Sequence, residues 1–347
     1  MVVVCFAALV RRTFVRRSLF VPLVAGCTPV SLQSSANIGK YLLASGKAVI
    51  ETKTETEMSE TRAGARLLPV TVIIAVRNEA RNLPRCLESL REVGEVFVVD
   101  SQSTDHTCAI AESFGAKVVQ FHYPGGWPKK RQWAIDTLPV AYDWILLLDA
   151  DEVVTPELSE EIRRAIQLPE TVGYRIQLQM YFLGKLLRHC DASFWKLSLF
   201  RKGQARFECR LKDQDASMAD MEVHEHMIAD GPTAELRNPI VHHNVESLSR
   251  YIRKHDEYSN WEAKVLTGGG NDSEMRGSLT GTQAQRRRWL KTRLYRLPGS
   301  PLLLFFYRYI FRFGFLDGVP GLIYCTFQAI QMFHTKAKIY ELRNARS

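Results

Sequence analysis

Asp143-Trp144-Ile145-Leu146-Leu147-Leu148-Asp149-Ala150-Asp151-Glu152 sets the frame for the whole chain. Trp144 to Leu148 are apolar without a break, as in a strand buried on both faces of a parallel sheet. The run ends in three carboxylates within four residues. Asp149 and Asp151, two apart on an extended chain, point to the same side. Carboxylates held that close repel one another unless a cation lies between them. A hard divalent ion takes oxygen ligands and is commonly held by one or two carboxylates together with substrate phosphates. The stretch reads as a central strand ending in either a cation site or a solvated acidic turn.

The pattern recurs upstream. Val70-Thr71-Val72-Ile73-Ile74-Ala75-Val76 is a β-branched run, a second buried strand, followed by Arg77-Asn78-Glu79. Asn82 stands where it would cap a helix to about residue 92, with Leu83, Cys86, Leu87 and Leu90 as its apolar stripe. Glu95-Val96-Phe97-Val98-Val99 is a strand running into Asp100-Ser101-Gln102-Ser103-Thr104-Asp105. A helix over 105–114 stops at Gly115, a natural C-terminal glycine. A strand over 116–121 and, behind Pro128, a helix over 129–137 lead back to the acidic strand. This alternation predicts an α/β fold with a parallel sheet. Ligands bind such sheets beyond the carboxyl ends of the strands, where Asp100, Asp105, Asp149 and Asp151 all fall. No G-x-G-x-x-G follows the first strand and there is no Walker A sequence, which counts against dinucleotide-dependent hydride transfer and P-loop chemistry.

The chain has 347 residues, 46% of them hydrophobic, enough for a substantial core. Its seven cysteines, at 5, 27, 86, 108, 190, 209 and 325, form no CxxC pair and read as reduced thiols of a cytoplasmic protein. The net charge of +9 is unevenly spread: residues 1–50 carry six basic and no acidic side chains, and 285–347 carry twelve basic and two acidic, which leaves −7 over 51–284. Basic ends flanked by apolar runs point to an anionic membrane surface and not to nucleic acid. Residues 1–66 stand outside the fold: Arg11, Arg12, Arg16 and Arg17 among apolar residues suggest a targeting segment. Val24-Ala25-Gly26-Cys27 mimics a lipoprotein cleavage site, although Pro22 breaks the run before it. A translation start at Met58 is the plainer explanation.

Val72-Ile73-Ile74-Ala75-Val76-Arg77-Asn78-Glu79, Val98-Val99-Asp100-Ser101 with Ser103-Thr104-Asp105, and Leu148-Asp149-Ala150-Asp151-Glu152 occur in that order over roughly 69–155 and resemble the signature of family 2 glycosyltransferases. The resemblance implies a GT-A fold, a Rossmann-like nucleotide-diphospho-sugar transferase domain. It implies a nucleoside-diphosphate sugar donor, a UDP-sugar in preference, and Mg²⁺ or Mn²⁺ as cofactor. Asp100 would contact the nucleotide base, and Asp149 and Asp151 would hold the metal. Further donor contacts fall by resemblance at Ala75, Arg77, Glu79, Asp105, Lys130, Arg131, Asp149 and Arg201. Arg131 lies in Lys129-Lys130-Arg131-Gln132-Trp133, where the family often has an Arg-Asn pair; Gln132-Trp133 departs from that pattern, and a solvated helix face is the plainer reading.

Beyond Glu152, Thr155-Pro156-Glu157 opens an amphipathic helix to about residue 167, followed by strands over 174–182, 195–202, 205–209, 222–228 and 240–243. Leu183-Gly184-Lys185 with Arg188-His189, Leu199-Phe200-Arg201, Val223-His224-Glu225 and Gly314-Phe315-Leu316-Asp317-Gly318 resemble the lipopolysaccharide core glucosyl- and heptosyltransferase subgroup, as does the helix over 246–266. Ser198 stands where that subgroup leads one to expect arginine. An inverting transfer needs a carboxylate to take the acceptor hydroxyl's proton. The candidates are Asp220, Glu222 and Glu225, with Glu225 favoured by the Val-His-Glu match. His224 is a candidate metal or phosphate ligand, against the commoner role of a hydrogen-bonded histidine.

The expected organisation is an extension over 1–66, a catalytic domain over 67–270 with a nucleotide half at 67–152 and an acceptor half at 153–270, a linker over 271–284, and a basic helical tail over 285–347. The tail's apolar run over 319–333 is short of the ~20 residues a spanning helix needs. Basic residues beside aromatics suit helices lying in the bilayer interface, with a helical cap on the domain as the alternative. The expected protein is a cytoplasmic transferase, peripheral on the inner face of the cytoplasmic membrane, moving a hexose or heptose to a lipid-linked glycan. An inactive membrane-peripheral binding protein and a sugar-phosphate nucleotidylyltransferase are the other readings. The latter lacks its glycine-rich loop after the first strand.

Overall fold

In the computed structural model, which describes residues 67–210, 220, 222, 225–243, 247–267, 277–280 and 283–344, the first β-branched run forms β1, Leu68–Val76, at the centre of a ten-stranded sheet. A short helix α1, Leu83–Glu88, leads to β2, Val93–Asp100; α2, Thr107–Ser113, leads to β3, Lys117–Gln120. Helix α3, Lys130–Thr137, precedes β4, Trp144–Asp149, and after the two-residue β5, Glu152–Val153, comes α4, Pro156–Ala165. The order β3-β2-β1-β4 is parallel throughout, so the α/β half expected from the alternation is present.

The sheet continues past β4 through β8, Phe194–Arg201, which runs antiparallel to it, then β6, Gly173–Phe182, and β12, Ile240–His243. Strand β12 closes antiparallel on β5. The two-residue β7, Lys185–Leu186, and β11, Thr233–Glu235, both pair with β6, and β9, Ala205–Phe207, pairs with β10, Met227–Ala229. The strand expected over 222–228 is therefore only Met227–Ala229; Glu222 and Glu225 lie in irregular chain.

β4 is apolar on both sides because both sides are packed. Trp144, Leu146 and Leu148 join Val72, Ile74, Leu87 and Leu158 under α1 and α4, while Ile145 and Leu147 join Ile73, Phe97, Ala134 and Leu138 under α3. Each such side chain contributes about 1.5–3 kcal/mol by leaving water. Thr155 caps α4, its hydroxyl accepting from Leu158 N at 3.2 Å. Gly115 takes the expected left-handed turn at φ +78°. Asn82 does not cap α1; its backbone is already helical and its Nδ2 donates to Glu79 Oε2 at 2.8 Å.

The C-terminal region is helical: α5, Leu248–Thr267; α6, Gln283–Arg296; α7, Ser300–Phe306; a π-turn, Tyr307–Phe311; a 3-10 turn, Gly314–Asp317; and α8, Gly318–Asn344. Tyr324 and Cys325 of α8 are buried with Phe182, Leu187 and Cys190 of the sheet half and with Tyr251 of α5. Asp317 is buried and accepts from Arg188 N at 3.2 Å, His189 N at 2.9 Å and His189 Nδ1 at 3.0 Å. The tail is thus built into the domain's core on one side, which matches the helical-cap alternative.

Candidate active site

Register alone brings the first carboxylates together. Ala75 of β1 pairs with Asp149 of β4, and Val76 pairs with Asp100 of β2, so the two aspartates end the parallel strands that flank β1, at their carboxyl ends. Asp100 is fully buried; it accepts from Ser103 N at 2.9 Å, from the Ser103 hydroxyl, from Gln120 Nε2 at 3.0 Å and from Cys108 Sγ at 3.3 Å. Burial opposes its charge, but the Ser103 bonds, then Gln120 and Cys108, hold the carboxyl below its usual range.

Asp149 is an anion ringed by cations. Its Oδ1 is ion-paired to the Arg131 guanidinium and its Oδ2 faces Lys196 Nζ at 3.7 Å. Burial again opposes the charge, while Arg131, Lys196, Lys254 and His242, in that order, drive the carboxyl far below its usual range. The turn after β4 is held by Glu152, which accepts from Asp149 N at 3.0 Å and pairs with Lys196 at 3.3 Å. β12 then fixes Asp151: His243 N donates to its carbonyl at 2.8 Å, and His242 Nε2 lies 3.4 Å from its Oδ2. The other His242 nitrogen lies 3.6 Å from Glu152 Oε1. Burial lowers the imidazole's pKa, but Asp151 and Glu152 outweigh it and the net shift is upward.

Helix α5 covers the site from the other side. Arg250 Nη2 pairs with Glu79 Oε1 at 2.6 Å and Arg250 Nη1 donates to Asn78 O at 3.1 Å. Lys254 is held charged by Tyr258 first, with Asp151, Asp149 and Glu79 adding to outweigh burial. Lys196, His242, Arg250 and Lys254 were not singled out as site residues from sequence. Each is one polar residue among others of its strand or helix, and only the fold brings them to the carboxylates.

Other expected residues have clear places. Lys130 is buried, donating to Val76 O at 2.8 Å and pairing with Asp220 Oδ2 at 3.2 Å, while the Ser101 hydroxyl also donates to Asp220. Arg77 is exposed just beyond β1. Asp105 works as a local latch, accepting from Thr107 N at 3.0 Å and Ala80 N at 3.2 Å. Glu222 caps α3: its two oxygens accept from Arg131 N at 3.1 Å and Gln132 N at 2.9 Å. Glu225 is buried 3.4 Å from Lys129 Nζ. Arg201 is not at the site. It pairs in register with Trp144, stacks on that ring at 4.7 Å and donates to Thr171 O at 3.1 Å, about 16 Å along β4 from Asp149. His224 lies outside the described residues.

Asp149 and Asp151 offer two carboxylates, a donor type that suits Mg²⁺ or Mn²⁺, while His242 is engaged by Asp151 and Glu152. Among the described residues no three such groups enclose an ion by themselves, so a cation here would complete its shell from substrate phosphates.

Residues 71–217 match the family described as glycosyl transferase family 2. The chain is 27% identical over 282 residues to the lipopolysaccharide core biosynthesis glycosyltransferase LpsC of Rhizobium meliloti, covering 79% of this chain and 93% of that one. An uncharacterized glycosyltransferase of Rickettsia conorii is 28% identical over 283 residues, 78% of this chain and 90% of that one. Among solved structures, S. aureus TarS 1–349 aligns over 80% of this chain and 91% of that one at 16% identity, with a TM-score of 0.37.

Proposed function

The chain belongs to glycosyl transferase family 2, and from that premise we propose that it is an inverting transferase. It moves a hexose or heptose from a nucleoside-diphosphate sugar, a UDP-sugar in preference, to a hydroxyl of a lipid-linked glycan such as lipopolysaccharide core. The observation that carries this reading is the convergence of Asp149, Asp151, Arg131, Lys196, Lys254 and His242 at the carboxyl ends of the strands. The likeness to LpsC supports the acceptor class.

Arg131 and Lys254 are the cations that meet the donor's diphosphate. Lys196 and Glu152 orient Asp149, and His242 with the His243 amide orients Asp151. Asp149 and Asp151 would hold the divalent cation. A bound Mg²⁺ or Mn²⁺ supplies Lewis-acid neutralisation of the leaving diphosphate. Asp100 and Ser103 form the floor at the nucleotide end. The acceptor's proton goes to Glu225, on the Val223-His224-Glu225 resemblance and because Glu222 gives both oxygens to α3. The protein works peripherally on the inner face of the cytoplasmic membrane; among the described residues no helix is long and apolar enough to cross one.

The test is nucleoside diphosphate release from each common nucleotide sugar by the purified protein. Slow donor hydrolysis is expected, falling at least about a hundredfold in Asp151→Asn with the thermal transition kept. Pyrophosphate release would favour the nucleotidylyltransferase reading. Donor binding without turnover on any lipid-linked acceptor would favour a binding protein.

A further inference from the structure

Ten of the twenty large apolar side chains exposed among the described residues lie between positions 302 and 322. This segment runs from α7 through the π- and 3-10 turns into the start of α8. Its inner side is engaged, with Phe305 and Tyr309 packed against the cluster around Phe182 and Tyr324. Its three charges are all taken by the loop at 188–191: Arg308 donates to Cys190 O at 2.9 Å, Arg312 lies 3.6 Å from Asp191, and Asp317 accepts from the amides of Arg188 and His189. The outer side is chiefly apolar, with Leu302 at 66% exposure, Phe311 at 59%, Leu316 at 56% and Val319 at 68%.

Apolar patches of this extent seldom face water without a purpose. The backbone here is mostly helical, so its polar groups are largely paired within the segment and can leave water at little cost. The neighbouring charge indicates what the patch meets. Arg293 and Arg296, in the last turns of α6, are exposed just before the patch begins, and residues 285–347 carry a net +10. Within the same helix Arg288 pairs with Glu208 and Lys291 with Glu262, while Arg286 is a further exposed cation. An apolar surface with cations beside it and no exposed acid within 302–322 suits an anionic phospholipid bilayer.

We propose that residues 302–322 form a monotopic anchor whose outer side, including Leu302, Phe306, Phe311, Phe313, Leu316 and Val319, enters the interfacial layer of an anionic bilayer without crossing it. This rests on the reading of the acceptor as lipid-linked and specifies how the site reaches it. Apolar insertion, and not adsorption through the basic helix α6, holds the protein there. The anchor is joined to the strand ends that carry the site: Phe182 at the end of β6 packs edge-on to Tyr324 of α8, and the preceding Tyr181 stacks on His243, the residue whose amide holds Asp151.

The experiment is co-sedimentation of the full chain with vesicles of phosphatidylglycerol mixed with phosphatidylcholine, without donor. The triple variant F311S/L316S/V319S is expected to lose vesicle affinity by at least about tenfold, with its thermal transition and vesicle-free donor hydrolysis unchanged. R293Q/R296Q should lose only a few-fold, and high salt should release the parent only in part. In F311W, brominated lipid should quench emission beyond the parent's level. The proposal is overturned if the triple variant sediments as the parent does while R293Q/R296Q does not. It is equally overturned if neither parent nor variant binds vesicles and the variant merely converts a dimer to a monomer, which would make the patch an interface between copies. Donor hydrolysis is read without vesicles and vesicle binding without donor, so failure of the transferase reading and failure of the anchor register separately.

Discussion

Asp100 shows how a single buried charge is made tolerable. Its carboxylate sits at the end of β2 with donors from Ser103, Gln120 and Cys108, and those bonds outweigh burial to depress its pKa from the ordinary 3.8. A group with a depressed native pKa contributes stability above its unfolded value, and that contribution is lost as pH falls through the native value. Asp100→Asn keeps the shape and removes the charge. The parent's stability advantage over this variant should therefore be constant from about pH 7 down to about pH 4 and shrink below that. Urea unfolding of both proteins at the two ends of this range and at about pH 3 checks it. An advantage undiminished at the acid end would mean that the charge is not what these donors stabilise. Asp100 and Asp149 were legible in the sequence because each ends a strongly apolar strand, and Asp151 because it follows Asp149 by two residues. Arg201 was misplaced for a topological reason: β8 runs antiparallel to β4, so its last residue meets the first residue of β4 and not Asp149.

At the scale of elements, α3 acts as one unit with Asp220, Glu222 and Glu225. Lys130 N donates to Asp220 O at 2.9 Å, and Glu222 closes the first turn of α3 and accepts no role beyond it that the geometry requires. Three carboxylates that looked alike in sequence are thereby divided, which spacing along the chain could not do. Glu225→Gln should reduce transfer at least about a hundredfold, but it also leaves the buried Lys129 without its anionic partner, a change that typically costs about 3–5 kcal/mol. The informative protein is therefore Lys129→Met with Glu225→Gln. It should recover much of the lost stability and none of the turnover, while nucleotide-sugar affinity stays within a few-fold of the parent. Turnover returning along with stability would make Glu225 a purely structural residue and return the base to Asp220 or Glu222. Lys196, His242 and Lys254 were illegible at this scale for the opposite reason. They come from three different elements, the nearest in sequence being β8, whose Lys196 is 47 residues from Asp149, and no local pattern distinguishes a lysine facing Asp149 from one facing water.

For the whole molecule, the question is whether the tail is an appendage or part of the fold. The charge split and the apolar runs made it look separable, because composition records which residues are apolar and not which way they face. The structure divides the tail by face: Tyr324, Cys325 and Met332 are buried, while Leu302, Phe311 and Val319 are exposed. A chain ending at Gly281 would uncover Phe182, Leu187, Cys190 and Tyr251 and strand the amides of Arg188 and His189 that Asp317 satisfies. Uncovering each large apolar side chain costs about 1.5–3 kcal/mol, and each stranded buried amide about 1–3 kcal/mol. Together these rival the whole stability of an ordinary domain, about 5–15 kcal/mol. The truncated chain is therefore expected to lose its cooperative thermal transition and near-UV circular dichroism, and donor hydrolysis with them. A truncated protein that melts cooperatively and still hydrolyses donor would show that the sheet half carries its own stability and that α8 only rests on it. The F311S/L316S/V319S variant provides the contrast, since it changes the outer face alone and should unfold as the parent does.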